Sequence, residues 1–200
     1  YGLSRTTVRL ALQELESLGL VVRQHGRGTF VSDRSVQATN LTQSYSFTEQ
    51  MRELGRNQND DLEFAEMEAD KNLAEHMGVR LGEKLFKIKR LRSADDVPMM
   101  VERSYLPLRK FTFEAALLEQ KSLYEIIEHD YQEEIRVAEE EFFASIARPA
   151  DAHLLDIGEG APVLDLVRTT YNMRNEIVEY TLSVARADQF KYKVYHYRNN

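Results

Sequence analysis

The stretch from Leu3 to Val31, LSRTTVRLALQELESLGLVVRQHGRGTFV, leaves the front of this chain few ways to fold. Ser4 predicts a helix N-cap, because its hydroxyl can accept from an amide that has no partner within the helix. Val8, Ala11, Leu12, Leu15 and Leu18 then recur at helical spacing on one face, and Gly19 stands where glycine commonly stops a helix. Leu20 to Val22 starts a strand, HGRG at 25–28 supplies a tight turn, and Thr29 to Val31 returns. The expected unit is a helix followed by a two-stranded ribbon with Arg27 at its tip. On the helical wheel Thr6, Arg9 and Gln13 fall away from the apolar stripe, with Arg5 beside the helix start. Leu10 also points outward.

Charge is divided along the chain. The formal net charge is −7, yet residues 1–34 hold five arginines against Glu14, Glu16 and Asp33, so the acidic excess lies in the remainder. That division suits a chain of which only the front end meets phosphates. A hydrophobic content of 42% supports one or two domains with a real core, and no apolar run approaches the length of a membrane span. The absence of cysteine excludes disulfides and thiolate metal sites. It is compatible with a reducing cytoplasm, where the protein is expected to reside. No signal peptide is visible, and the five histidines show no clustered ligand spacing, so neither metal nor cofactor is expected.

Residues 34–43 belong to a polar stretch, SDRSVQATNLTQ at 32–43, that reads as an interdomain linker. In SYSFTEQMRELG, Ser46 and Glu49 have capping-box spacing and Gly55 stops a short helix. Its start is either a plain cap or an anion site in which the Thr48 hydroxyl joins free amides. Leu62 to Met67 reads as a strand, Asp70 caps a helix ending near Gly78, and Leu85 to Arg92 is a second strand. Along that strand Phe86, Ile88, Arg90 and Arg92 share one face, while Lys87 and Lys89 lie on the other. Two arginines continuing an apolar face need an anion. Val97 to Leu106 returns as a hairpin that can place Glu102 beside them if the register keeps parity. Either the three form a structural ion pair, or the arginines take a ligand's phosphate or carboxylate and Glu102 accepts from its hydroxyls.

Lys121 to His129 makes a further helix with Ser122 near its start. Ile135 to Ala144 is strand-like and carries Glu139, Glu140 and Glu141, which read as a solvated edge. Beyond Pro149 a helix at Asp151–Ile157, a strand at Val163–Tyr171, a turn and a strand at Ile177–Ala185 repeat the earlier order. A shift of 78 residues takes Gly82 to Gly160 and Arg90 to Arg168, and puts Glu102 one residue from Glu179. Two related halves pairing into one antiparallel sheet, with Arg90, Glu102 and Glu179 near their junction, are the expected outcome. A last strand runs from Gln189 to Tyr197.

The string SRTTVR, followed after about a dozen residues by HGRGTFV, closely resembles the recognition helix and wing of GntR-type winged helix-turn-helix transcription regulators. In such proteins the recognition helix enters the major groove with its N-terminal residues at the base edges. The resemblance implies DNA contacts from Arg5, Thr6, Thr7 and Arg9 on the helix, and from His25, Gly26 and Arg27 on the wing. It also implies two helices preceding this segment, so that residues 1–33 are the C-terminal part of the DNA-binding domain. The later order of SFTEQMRELG, RLRSADDVPMMVERSYLP, KSLYEII, GAPVLDLVRTTYN and VEYTLSVARADQFKY resembles the UTRA effector-binding domain of the HutC branch, expected over residues 44–200. That domain is similar in fold to chorismate lyase, which makes the expected class α+β: a partial winged helix followed by an antiparallel-sheet domain.

By this resemblance the chain is a homodimeric repressor that leaves operator DNA when a small anionic effector binds. In relatives that sense phosphorylated sugars, the positions matching Phe47, Thr48, Arg90, Arg92 and Ser122 hold the phosphate, and those matching Glu102 and Glu179 hold sugar hydroxyls. The chain departs from some amino-sugar-phosphate sensors at Ala185, where they carry a tyrosine. A phosphorylated sugar is therefore implied without the sugar being fixed, and a carboxylate ligand also suits two arginines. An enzyme of chorismate-lyase-like fold is the competing class. Against it, the sequence holds no nucleophile–base constellation and no metal spacing.

Overall fold

The computed structural model describes residues 4–17, 21–24, 28–31, 37–39, 47 and 58–192. In chain order the elements are α1 (Arg5–Ser17), β1 (Val21–Gln24), β2 (Gly28–Val31), β3 (Gln37–Thr39), β4 (Gln58–Glu68), α2 (Lys71–Met77), β5 (Lys84–Ala94), β6 (Val97–Pro107), α3 (Ala115–Gln120), α4 (Leu123–Glu125), β7 (Ile135–Ile146), α5 (Pro149–Leu155), β8 (Pro162–Asn172), β9 (Ile177–Arg186) and β10 (Phe190–Tyr192). Contacts divide the chain into two units, one of residues 1–40 with 189–200 and one of residues 41–188.

In the first unit Ser4 caps α1 as its sequence position predicts, its Oγ accepting from the Thr7 amide at 3.1 Å. Val8 and Leu15 of the expected apolar stripe are exposed, so the described residues do not close a core over it. The ribbon pairs antiparallel with Val21 opposite Val31 and Gln24 opposite Gly28. Gly28 takes a φ of 117°, which side-chain-bearing residues avoid. Within the stretch read as linker, Gln37–Thr39 forms β3 and pairs in parallel with β10. That pairing joins residues about 150 positions apart, which local periodicity cannot reveal.

The second unit is built on a six-stranded antiparallel sheet in the order β4-β5-β6-β9-β8-β7. Its two halves meet between β6 and β9, and the repeat read from the sequence is a repeat of structure. A shift of 78 residues carries α2 (Lys71–Met77) onto α5 (Pro149–Leu155) and β5 (Lys84–Ala94) onto β8 (Pro162–Asn172). Backbone hydrogen bonds repeat with them: the Gly82 amide donates to the Ala69 carbonyl at 2.8 Å, and the Gly160 amide to the Ala147 carbonyl at 3.0 Å.

The halves differ at their hairpins. Asp95 and Asp96 both take positive φ in a two-residue turn, the geometry that matches strand twist, whereas four residues separate β8 from β9. The longer turn moves β9 by one position relative to the repeat. Glu102 lies opposite Arg90, but Thr181, not Glu179, lies opposite Arg168.

Alternation along the strands sends side chains to two layers. On one face Leu73, Ala74 and Met77 of α2 pack with Leu85, Tyr105 and Tyr180, and Ala152 of α5 packs with Ala147 and Val163. On the other, Phe86, Ile88, Leu106 and Val178 meet Phe111, Leu123, Tyr124 and Ile127. The last of these helical residues lies in a π-helical turn, Ile126–Asp130, that continues α4. Asp70 caps α2, accepting from the Leu73 amide at 2.8 Å, and Gly78 closes it in the left-handed conformation. Asp70→Ala is expected to cost about 1 kcal/mol of stability, seen as a drop of a few degrees in Tm. An unchanged melting curve would show that α2 is held by its apolar face alone.

Candidate functional site

β5 delivers Arg90 and Arg92 to the same face as Ile88, as its alternation requires, and both are buried. The register places Glu102 of β6 directly opposite Arg90. Glu102 Oε2 accepts from both arginines, at 2.9 Å from an Arg90 terminal nitrogen and 2.7 Å from an Arg92 terminal nitrogen. Phe47 is buried against this group, with the Arg92 guanidinium carbon 4.6 Å from its ring centroid. Burial pushes the Glu102 carboxyl upward, but the Arg90, Arg92 and Arg168 charges outweigh it and hold the pKa down at about 2. Glu102 is therefore an anion at any physiological pH.

Across the centre of the sheet a second buried carboxylate, Glu179 on β9, gathers hydroxyls. Its Oε2 accepts from Tyr124 at 2.7 Å and from Thr170 at 2.7 Å, and its Oε1 lies 2.6 Å from Thr181 Oγ1. Thr181 Oγ1 is also 2.7 Å from Ser104 Oγ, and its single proton serves one neighbour at a time. Burial raises the Tyr124 phenol above its ordinary pKa, with Arg168 opposing and Glu179 reinforcing. Arg168 donates to Glu140 at 2.6 Å through Nε and reaches the Tyr124 hydroxyl at 3.3 Å. Burial disfavours its charge, and the neighbouring Tyr124, Glu140, Glu179 and Glu102 overcome that cost.

Arg90, Arg92, Glu102 and Phe47 of the expected site thus come together, and Glu179 lies on the adjoining strand in its own network. Ser122 is buried and closes a capping box, its Oγ accepting from the Glu125 amide at 3.1 Å while its own amide donates to Glu125 Oε2 at 2.6 Å. Thr48 lies outside the described residues. Glu140, expected on a solvated edge, is turned inward by its pairing with Arg168, while Glu139 and Glu141 remain exposed. Tyr124, Thr170, Thr181 and Ser104 were not anticipated. The period-two series Glu179, Thr181, Ser183 on β9 was the available signal for part of this group.

In the first unit Thr6, Thr7 and Arg9 are exposed along the N-terminal half of α1, and Arg5 is its first residue. The Thr7 hydroxyl lies 2.8 Å from Ser4 Oγ, so it also serves the cap. His25, Gly26 and Arg27 fall outside the described residues. Leu10 is exposed, as its wheel position predicts.

A capped helix with an outward polar face and a ribbon, joined to a domain with a buried arginine–carboxylate face, defines a one-component regulator: a DNA reader coupled to a small-molecule sensor. Residues 1–31 match the family model for bacterial regulatory proteins of the gntR family, and residues 55–191 match that of the UTRA domain. The chain belongs to the gntR family and carries a UTRA domain.

It is 37% identical over 199 residues to the HTH-type transcriptional repressor NagR of Bacillus subtilis, covering 98% of this chain and 80% of that protein. It is 26% identical over 193 residues to the mannosyl-D-glycerate transport/metabolism system repressor MngR of Escherichia coli, covering 96% and 80%. The crystal structure of PhnF from Mycobacterium smegmatis matches with a TM-score of 0.70 at 26% identity, over 98% of this chain and 87% of that one. NagR and MngR are named as repressors and the matching family is one of regulatory proteins, so the enzyme reading is set aside in favour of a repressor that binds operator DNA and a small-molecule effector. Among the described residues no helix is long and apolar enough to cross a membrane, and no group of His, Asp or Glu is placed to hold a metal ion.

Proposed function

We propose that the effector is a small phosphorylated sugar and that its binding releases the repressor from operator DNA. The observation that carries this reading is the convergence of two buried guanidiniums, Arg90 and Arg92, on one oxygen of Glu102 with Phe47 against Arg92. A guanidinium has five N–H donors in a fixed fork, enough to hold Glu102 and an anion together. In this reading Arg90 and Arg92, with Phe47, Thr48 and Ser122, hold the phosphate, and the carboxylates of Glu102 and Glu179 accept from sugar hydroxyls. A relative named as the probable fructoselysine utilization operon repressor of Shigella flexneri, and MngR, both carry sugar-derived compounds in their names.

Operator contacts come from Arg5, Thr6, Thr7 and Arg9 in the major groove and from His25, Gly26 and Arg27 at the wing. The chain acts as a homodimer of the HutC branch, with residues 1–33 reading DNA, 34–43 joining and 44–200 sensing. A hundredfold loss of operator affinity requires about 3 kcal/mol of coupling between effector and DNA sites.

The test is a thermal-shift panel of hexose phosphates, their unphosphorylated parents and small carboxylates on wild type and Arg92→Ala. A shift from a phosphorylated sugar in wild type alone, together with reduced operator binding in its presence, is the expected result. A response to carboxylates or neutral sugars instead would remove the phosphate assignment.

A further inference from the structure

The hydroxyl row on β9 has one member that the networks above do not use. Direct pairing places Arg90, Glu102, Ser183 and Leu166 in a single row across β5, β6, β9 and β8, with their side chains on the same face. Ser183 is 3% exposed, and its Oγ has no hydrogen-bond partner among the described residues. Glu102, its neighbour in the row, turns its carboxylate to Arg90 and Arg92 instead. One step along β9, Thr181 is fully engaged with Glu179 and Ser104. One step the other way, Ala185 pairs with Met100 and Leu164, and both Ala185 and Met100 are buried. Ser183 therefore stands where the carboxylate and hydroxyl networks give way to an apolar flank.

A buried hydroxyl without a partner is unfavourable, and such groups in folded proteins call for an explanation. We propose that Ser183 is a specificity residue of the effector site, its Oγ hydrogen-bonding a hydroxyl on the sugar body while the arginines hold the phosphate. This rests on the phosphorylated-sugar reading and extends it to a residue outside the set expected from the sequence. Ser183 can donate and accept at once, so a ligand hydroxyl satisfies it in either sense. The same contact disfavours ligands with a methylene in that place, since they would leave Oγ unpaired.

The experiment is calorimetric titration of the full chain with glucose 6-phosphate, glucosamine 6-phosphate, fructose 6-phosphate and inorganic phosphate, on wild type, Ser183→Ala and Arg92→Ala. The expected result is that Ser183→Ala weakens the best hexose phosphate roughly fivefold to tenfold but not inorganic phosphate, whereas Arg92→Ala loses both. In the ligand-free state Ser183→Ala should melt at or above the wild-type temperature, because it removes an unsatisfied polar atom. If Ser183→Ala binds every probe as wild type does while Arg92→Ala loses them, Ser183 is overturned and the phosphate reading stands. Equal weakening of inorganic phosphate and hexose phosphate, or a lowered ligand-free melting temperature, would make Ser183 a structural residue and also overturn the proposal. Binding of none of the probes by wild type would overturn both readings together.

Discussion

Replacing Glu102 by alanine is expected to lower the unfolding free energy by about 3–5 kcal/mol, which for a unit of this size is a drop in Tm on the order of 10 °C. The reason is asymmetry. Glu102 is buried between Arg90 and Arg92, and its loss removes the acceptor that both guanidiniums share in a place that water does not reach. Glu102→Gln keeps an acceptor oxygen but not the charge, so it should fall between wild type and Glu102→Ala. Urea unfolding of the three proteins would order them. A loss below about 1 kcal/mol for Glu102→Ala would mean that solvent reaches the arginines, and the site would have to be redrawn as open.

Acid should uncover the same arrangement. The Glu102 pKa is held at about 2 against an ordinary 4.5, so the folded state binds this proton less readily than the unfolded state. Its contribution is fully present above about pH 4.5 and is lost as pH falls through that value toward 2. At about 1.4 kcal/mol per pKa unit the amount at stake is about 3 kcal/mol. Glu176 is held at about 2 as well, mainly by hydrogen bonds from Lys110 and Asn172, and acts in the same direction. Melting temperatures measured from pH 7 to pH 2.5 should fall more steeply for wild type than for Glu102→Gln, which lacks the titrating group. Parallel curves would assign the acid sensitivity to other carboxylates.

Much of this site was legible because it depends on near neighbours in the sequence. The alternation of Phe86, Ile88, Arg90 and Arg92 needs only the strand itself, whereas Glu102 comes opposite Arg90 because the register shifts by one residue between Arg92 and Ser93; the turn that pairs Ala94 with Val97 would by itself have set Val101 there. The cap at Asp70 and the stop at Gly78 are local for the same reason. What escaped reading depends on contacts between distant segments. Tyr124 meets Glu179 only because the helix after β6 covers β9, and Thr181 meets Ser104 only because the halves join there. Glu140 was misplaced because three consecutive glutamates alternate between faces, and only pairing with β8 shows which of them turns inward. The strand at Gln37–Thr39 had no pattern of its own, since its partner lies near the other end of the chain.

The duplicated halves keep their backbone plan and part company in charge. Arg90 pairs across the sheet with Leu62 on its outer side, so its counter-charge comes from Glu102 at the centre. The equivalent Arg168 has Glu140 in the position of Leu62 and is neutralised at the rim, where it also steadies Tyr124. Two register positions thus separate the two guanidiniums: Leu62 against Glu140 on the outer side, and Glu102 against Thr181 on the inner. The backbone plan occurs twice, but two guanidiniums sharing one carboxylate oxygen occur, among the described residues, in the first half alone.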